Sequence, residues 1–258
     1  MKPLAELDAR GVKALLFDID DTLTTEGKLT AQAYDALERL RRAGKITVPV
    51  TGRPAGWCDH IARMWPVDAV VGENGAFYFR HARGRLQHQY HEPPELRARH
   101  RRRLGQIGEE IVAAVPGCAI AADQPYRETD LAIDYCEDVA PLPLEQAERV
   151  AALMRAAGLH AKVSSIHVNG WFGDYDKLAM TRRLFGDEFG IDLERERAAV
   201  VYVGDSPNDA PMFEFFPRSV GVANVRRFGA LLATPPQYIT SASAGAGFTE
   251  VVAHLLAA

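Results

Sequence analysis

Cysteine is scarce in this chain. Cys58, Cys118 and Cys136 are odd in number and widely spaced, with no C-x-x-C pair, which disfavours a disulfide framework or a zinc site. Each reads as a small buried hydrophobe. No apolar run approaches the ~18 residues that span a bilayer. The first ten residues carry Lys2, Glu6, Asp8 and Arg10, so they lack the unbroken apolar stretch of a signal peptide. A reducing cytoplasm is the expected compartment, and a membrane is not an expected partner. Basic residues are not in excess: Lys and Arg number 30 against 34 Asp and Glu, a net charge of −4. Nucleic acid is therefore not an expected partner either. There is no internal repeat, no G-x-x-x-x-G-K-[ST] loop and no G-x-G-x-x-G fingerprint, which argues against a nucleotide-dependent kinase. Low complexity is confined to residues 241–247, an Ala/Ser/Gly stretch that reads as a loop.

What remains is 258 residues, 47% hydrophobic and 25% charged, enough for one large or two modest domains at roughly 100–200 residues each. Short apolar runs alternate with helical patterns at the start: strands over 12–17, 46–50 and 69–72, and helices over 30–42 and 55–64. Thr30 is a candidate N-cap and Gly44 a stop signal. Pro49 is a mild objection to its strand, since proline favours sheet edges. Similar strands return over 199–203, 219–223 and 238–240. Near-continuous apolar strands separated by helices indicate a parallel sheet covered on both faces. The middle differs. Helices over 94–115 and 144–157 each lead to two strand-like runs (118–121 and 131–135, then 161–164 and 166–169). The expectation is an α/β protein: a Rossmann-like parallel sheet core from residues 1–88 and 172–258, with an α+β cap, 89–171, inserted into it.

Carboxylates gather at strand ends, where open α/β sheets bind ligands. Asp18, Asp20 and Asp21 follow the first strand in FDIDDT. In extended chain Asp18 and Asp20 point the same way. Two carboxylates ~4 Å apart repel by about 4 kcal/mol at an effective dielectric of 20, so the pair needs a cation or a proton. Alone, D-x-D is as readily a polar loop. The run 200–203 ends the same way, in GDSPND, with Asp205 and Asp209. If the two strands are neighbours, the four carboxylates form an oxygen-rich site suited to Mg²⁺. Thr51-Gly52-Arg53 follows the second strand, with a hydroxyl and free N–H groups ahead of a helix, an anion cradle. Lys177 offers a point charge suited to phosphate.

In this order, FDIDDT, VTGR, Lys177 and GDSPND closely resemble the four motifs of the haloacid-dehalogenase-like superfamily. GENGA (72–76) and the position of the insert resemble its type IIB cap subgroup. That subgroup includes mannosyl-3-phosphoglycerate and sucrose-phosphate phosphatases, and phosphomannomutases. The resemblance implies a Mg²⁺-dependent phosphomonoester hydrolase acting on a small phosphorylated metabolite, such as a sugar phosphate. Asp18 would be the nucleophile that becomes an aspartyl-phosphate, and Asp20 the general acid and base. Thr51, Gly52, Lys177 and Asn208 would hold phosphate. Asp18, Asp20 through its backbone carbonyl, and Asp205 would hold the metal, with Asp209 beside or behind it. Asp21 departs from the family pattern, which often has Gly there, and so does Leu178 after Lys177.

The cap must choose the leaving group. On a strand, Ser165, His167 and Asn169 share one face and could bind hydroxyls, or simply face solvent. Arg53 and Asn74 extend from core loops as further substrate-binding candidates. Trp171 and Phe172 are expected to pack the hinge. The basic run 97–103 reads first as a solvated helix face, second as a site for a carboxylated or multiply phosphorylated substrate. A phosphosugar mutase shares the same intermediate and stays open. A phospho-accepting receiver domain is about half this length and lacks an inserted cap.

Overall fold

The computed structural model describes residues 1–257. In chain order, the first part contains β1 (Lys2–Pro3), β2 (Ala14–Phe17), α1 (Ala31–Arg42), β3 (Ile46–Pro49), α2 (Ala55–Met64), β4 (Val70–Gly72), β5 (Phe77–Ala82) and β6 (Arg85–Tyr90). The middle contains α3 (Pro94–Ala114), β7 (Ala119–Ile120), β8 (Asp130–Asp134), α4 (Leu144–Ala156), β9 (His160–Val163) and β10 (His167–Trp171). The last part contains α5 (Lys177–Leu184), α6 (Leu193–Glu196), β11 (Val200–Gly204), α7 (Ala210–Phe215), β12 (Ser219–Gly221), β13 (Tyr238–Ile239) and α8 (Ala244–Leu256).

Six strands form a parallel sheet in the order β1-β13-β12-β11-β2-β3. Its two faces are buried separately, as the period-2 pleat requires. Leu15, Phe17, Val201 and Val203 pack with Leu37 and Leu40 of α1 and Phe248 and Val251 of α8. Ala14, Leu16, Val200 and Tyr202 pack with Met180 and Leu184 of α5 and Phe213 of α7. Thr30 caps α1, accepting the Ala33 N–H at 3.2 Å. Pro49 lies on the sheet's last strand, where its missing donor is tolerated. The middle of the chain folds as an antiparallel sheet, β7-β8-β10-β9. Its own core includes Leu104, Ile107, Leu131, Ile133, Val150, Met154 and Val168. The fold is therefore α/β with an α+β cap, as the alternation of elements implies.

Three local expectations need correction. β4 is not a regular member of the parallel sheet. It touches it by one parallel bridge, Val50 to Val71, and otherwise ladders antiparallel with β5 in a sheet β4-β5-β6. The hairpin β5-β6 goes unread in the sequence because β6 is largely polar and solvent-facing. Residues 244–247 are helical rather than loop, because Phe248, Val251, Val252 and Leu255 place one buried face on α8 that extends back through Ala244. No helix among the described residues is long and apolar enough to cross a membrane.

Candidate active site

β2 and β11 pair in parallel, Phe17 lying close to Val203 in the register. The residues that follow them, Asp18 and Asp205, thus leave the sheet at one edge, and both are buried. Ligand oxygens of Asp18, Asp205 and Asp209 lie within 4.8 Å of one another. Lys177, first residue of α5, reaches into this cluster. Its Nζ is 2.8 Å from Asp209 Oδ1 and 3.3 Å from Asp18 Oδ2. Gly75 makes that approach possible. It holds φ +106°, and a Cβ there would lie 2.0 Å from the Asp176 carbonyl oxygen, so loop 73–76 presses against the start of α5.

The three carboxylates differ in what is left free. Asp209 is saturated: Oδ1 accepts from Lys177 Nζ and, at 2.5 Å, the Tyr202 hydroxyl, while Oδ2 accepts the Asp205 and Ser206 N–H groups at 3.0 and 3.2 Å. Asp18 accepts the Ile19 N–H at 2.9 Å. Asp205 accepts the Asn224 amide at 3.0 Å, and Arg227 stands 3.5 Å away. Burial pushes the Asp18 carboxyl up to about 7, Lys177 opposing and Asp209 and Asp20 adding to it. Burial also pushes Asp205 well above the carboxylate range, with Asp209 and Asp18 reinforcing it. Burial alone would lower the Lys177 ammonium, but Asp18 and Asp209 hold it above its ordinary value. Three buried carboxylates facing the Lys177 ammonium and, at 3.5 Å from Asp205, the half-exposed Arg227 guanidinium still lack positive charge. Hard oxygen donors with lone pairs on Asp18 and Asp205 fit a divalent cation such as Mg²⁺.

Asp20 does not share this cluster. The chain turns at Ile19, whose carbonyl accepts the N–H groups of Thr22, Leu23 and Thr24, so the extended geometry expected for Asp18 and Asp20 is absent. The Asp20 carboxylate turns to Arg53, with Nε 3.0 Å from both oxygens and Nη2 2.8 Å from Oδ1. Asp21 takes φ +52°, a left-handed conformation that favours glycine, and its carboxylate pairs with Arg227 at 2.9 Å.

Thr51 is buried and its Oγ1 accepts the Arg53 N–H at 3.1 Å. A Cβ on Gly52 would stand 3.1 Å from Asn74 Nδ2 and 3.5 Å from Asn169 Oδ1, so these three residues converge. Both polar atoms of the Asn74 amide are buried without a hydrogen-bond partner among the described residues, and so is Ser165 Oγ. Asn169 donates to Asp130 at 2.9 Å. His167 Nε2 lies 2.8 Å from Glu137. Asn208 is bonded by the Ser206 hydroxyl at 2.7 Å, in the turn that also holds Asp209. Ser165 and Ile166 both line a cavity of about 430 Å³ with Asp20, Arg53, Glu137 and Arg227. The alternation expected of Ser165 and Ile166 fails because β10 begins only at His167. Trp171 is packed, stacking 5.7 Å from Tyr175. In the basic run, Arg97 lies over the Tyr90 ring at 3.4 Å and Arg103 meets Glu110 at 3.4 Å. None of that run lines the cavity beside Asp20.

A family of haloacid dehalogenase-like hydrolases matches residues 15–99, the stretch holding Asp18, Asp20 and Thr51, and the fold and cap agree with it. Over those residues the chain is similar to the haloacid dehalogenase-like hydrolases. It is 28% identical over 240 residues to a phosphoglycolate phosphatase of Haloarcula marismortui, covering 93% of this chain and 95% of that protein. In fold it is similar to protein 0175 of Thermoplasma acidophilum (TM-score 0.72, 17% identity, 95% and 98% of the two chains). It is also similar to the sucrose-phosphatase of Synechocystis, solved with sucrose and phosphate (TM-score 0.62, 16% identity, 95% and 98%).

Sequence reasoning overlooked a buried polar network that ties the two halves of the molecule together. Glu73 of the GENGA loop accepts from five donors: the N–H groups of Ala55, Glu128, Thr129 and Asp130 and the Thr129 hydroxyl. Arg127 pairs with Asp123 at 2.9 Å and Asp130 at 3.0 Å, and donates to the Gly52 carbonyl at 2.8 Å. Arg53 reaches Asp123 at 3.4 Å and Glu137 at 2.5 Å. The only sequence signal was a set of charged residues bracketing the apolar strand β8.

Proposed function

We propose that this protein is a Mg²⁺-dependent phosphatase that hydrolyses a small phosphomonoester, a sugar phosphate or similar metabolite, through an aspartyl-phosphate on Asp18. The observation that carries the reading is Lys177 held between Asp18 and Asp209 at the shared edge of two parallel strands. A carboxylate attacking a phosphate dianion meets strong repulsion, and a fixed ammonium beside it lowers that barrier. Asp18 and Asp205, with the Asp20 carbonyl, would hold Mg²⁺, and Asp209, its oxygens filled, would stand behind them. Bound there, the ion supplies charge neutralisation at the phosphate. Thr51, Gly52, Lys177 and Asn208 are the proposed phosphate holders. The unpartnered amide of Asn74 beside Gly52 supports a role in binding, since buried polar groups are rarely left unbonded. Asp20 would protonate the departing alcohol and then activate water against the acyl phosphate. We assign residues 1–88 and 172–258 to the catalytic core and 89–171 to the cap. Arg53, Ser165, His167 and Asn169 face the leaving-group side.

The test is phosphate release from a panel of sugar phosphates, phosphoglycolate and phosphoglycerate derivatives, with and without Mg²⁺. The names of the relatives put phosphoglycolate and sucrose phosphate on that panel. Mg²⁺-dependent turnover abolished in Asp18→Asn is the expected outcome. Turnover that survives Asp18→Asn refutes the mechanism.

A further inference from the structure

Glu137 belongs to the segment that follows β8 in the antiparallel half, yet its carboxylate closes on a core residue. It is held on its own side first. The N–H groups of Cys136, Glu137 and Asp138 all donate to the Asp134 carboxylate, at 2.9, 2.8 and 2.8 Å. His167 Nε2 then stands 2.8 Å from Glu137 Oε2. From this anchored position Glu137 Oε1 takes Arg53 Nη2 at 2.5 Å. The same guanidinium holds Asp20 through Nε and Nη2 and lies 4.3 Å over the Trp57 ring. Arg53 is 4% exposed. With one face on Trp57 and its edges taken by Asp20, Glu137 and, at 3.4 Å, Asp123, the guanidinium is held from several sides.

We propose that Glu137 is a positioning residue that acts through Arg53, aiming the Asp20 carboxyl at the leaving oxygen when the antiparallel layer is seated on the core. The inference rests on the reading of Asp20 as general acid. In that step the bond from phosphorus to the leaving oxygen breaks, a bond from phosphorus to Asp18 forms, and the Asp20 proton passes to the departing oxygen. An alkyl phosphate releases a strongly basic alkoxide and needs that proton. An aryl phosphate such as p-nitrophenyl phosphate releases a stabilised anion and does not. The cost of displacing Asp20 therefore depends on the leaving group, whereas loss of fold or of phosphate binding strikes both substrates alike.

The experiment measures first-turnover phosphorylation of the full chain with Mg²⁺, on p-nitrophenyl phosphate and on the best alkyl phosphate of the panel. The proteins are wild type, Glu137→Ala, Arg53→Ala and the double variant, with Glu137→Gln in reserve should Glu137→Ala not fold. Positioned general acids contribute about 10²–10⁴-fold. Glu137→Ala is expected to lose about tenfold or more on the alkyl substrate and no more than about twofold on the aryl one. The double variant is expected to match Arg53→Ala, since residues acting in series are not additive. Equal losses on both substrates, or multiplying losses in the double variant, overturn the inference while the phosphatase reading stands. A wild type that phosphorylates on neither substrate overturns both.

Discussion

Glu73→Gln isolates the network that joins core to cap without changing side-chain volume. In the native protein Oε1 accepts the Ala55 N–H at 2.9 Å, at the first turn of α2, and the Glu128 N–H at 2.9 Å. Oε2 accepts the N–H groups of Thr129 at 2.6 Å and Asp130 at 3.2 Å, and the Thr129 hydroxyl. A carboxamide has one acceptor oxygen. If its nitrogen replaces Oε1, the Ala55 N–H faces another donor inside the protein. If it replaces Oε2, the N–H groups of Thr129 and Asp130 do. Either orientation orphans at least one buried donor, at roughly 1–3 kcal/mol each. Burial pushes the Glu73 carboxyl up to about 7, Asp130 adding to it and Arg127 opposing, so near neutral pH the acceptor is only part ionised and the orphaned donor is the main cost. The expected loss is about 1–3 kcal/mol by urea unfolding near neutral pH. Thr129→Val should cost less. The double variant should fall short of the sum, because both changes remove the same hydroxyl contact. A Glu73→Gln loss below about 1 kcal/mol, or full additivity with Thr129→Val, would refute the view that this carboxylate clamps the two halves.

Gly75→Ala should destabilise by about 3 kcal/mol or more, because it combines a left-handed φ with a Cβ 2.0 Å from the Asp176 carbonyl; an unchanged midpoint in thermal unfolding would contradict the close approach. Asp21→Gly relieves φ +52° at the expense of a half-exposed pair with Arg227, terms of about 1 kcal/mol and 0–1 kcal/mol. Stability should hold or rise slightly, and a loss above about 1 kcal/mol in urea would count against that balance. Asp205→Asn removes one charge from the buried carboxylate cluster. In EDTA it should melt higher than wild type, and millimolar Mg²⁺ should raise the melting temperature of wild type alone; equal Mg²⁺ shifts in both proteins would exclude Asp205 as a ligand. For Glu137, burial works to raise the carboxyl, but hydrogen bonds from His167 and Arg53 overcome it and bring it down to about 2. A depressed carboxyl stabilises the fold above its ordinary 4.5 and loses that contribution as pH falls toward about 2. Glu137→Gln should therefore flatten the acid limb of stability against pH, by at most about 1.4 kcal/mol per pH unit, and parallel limbs would rule the pairing out.

The parts of the site visible in the sequence are those fixed by position along a strand. Asp18, Thr51 and Asp205 each follow a short apolar run, and a buried parallel strand must deliver whatever follows it to the same edge of the sheet. Lys177 carries no such mark; only the order of motifs singles it out. The direction of Asp20 was not legible, because three N–H groups converging on the Ile19 carbonyl replace the extended chain that D-x-D spacing suggests. The network of Glu73, Asp123, Arg127, Asp130 and Glu137 was invisible for a different reason. The pairs that cross between layers are far apart in sequence, 56 residues from Glu73 to Thr129 and 84 from Arg53 to Glu137, and the local pairs of Arg127 with Asp123 and Asp130 read first as a wet surface. Glu73, Asp123, Arg127 and Asp130 are buried because the antiparallel layer is seated over the strand ends, while Glu137 stays partly exposed at its margin. Local pattern therefore predicts the half of the candidate site that is proposed to act on phosphorus, because it follows the strand ends at the sheet edge. The half proposed to meet the leaving group is made by contacts between layers, so a substrate has to be inferred from pairs such as Arg53 with Glu137 rather than from a motif.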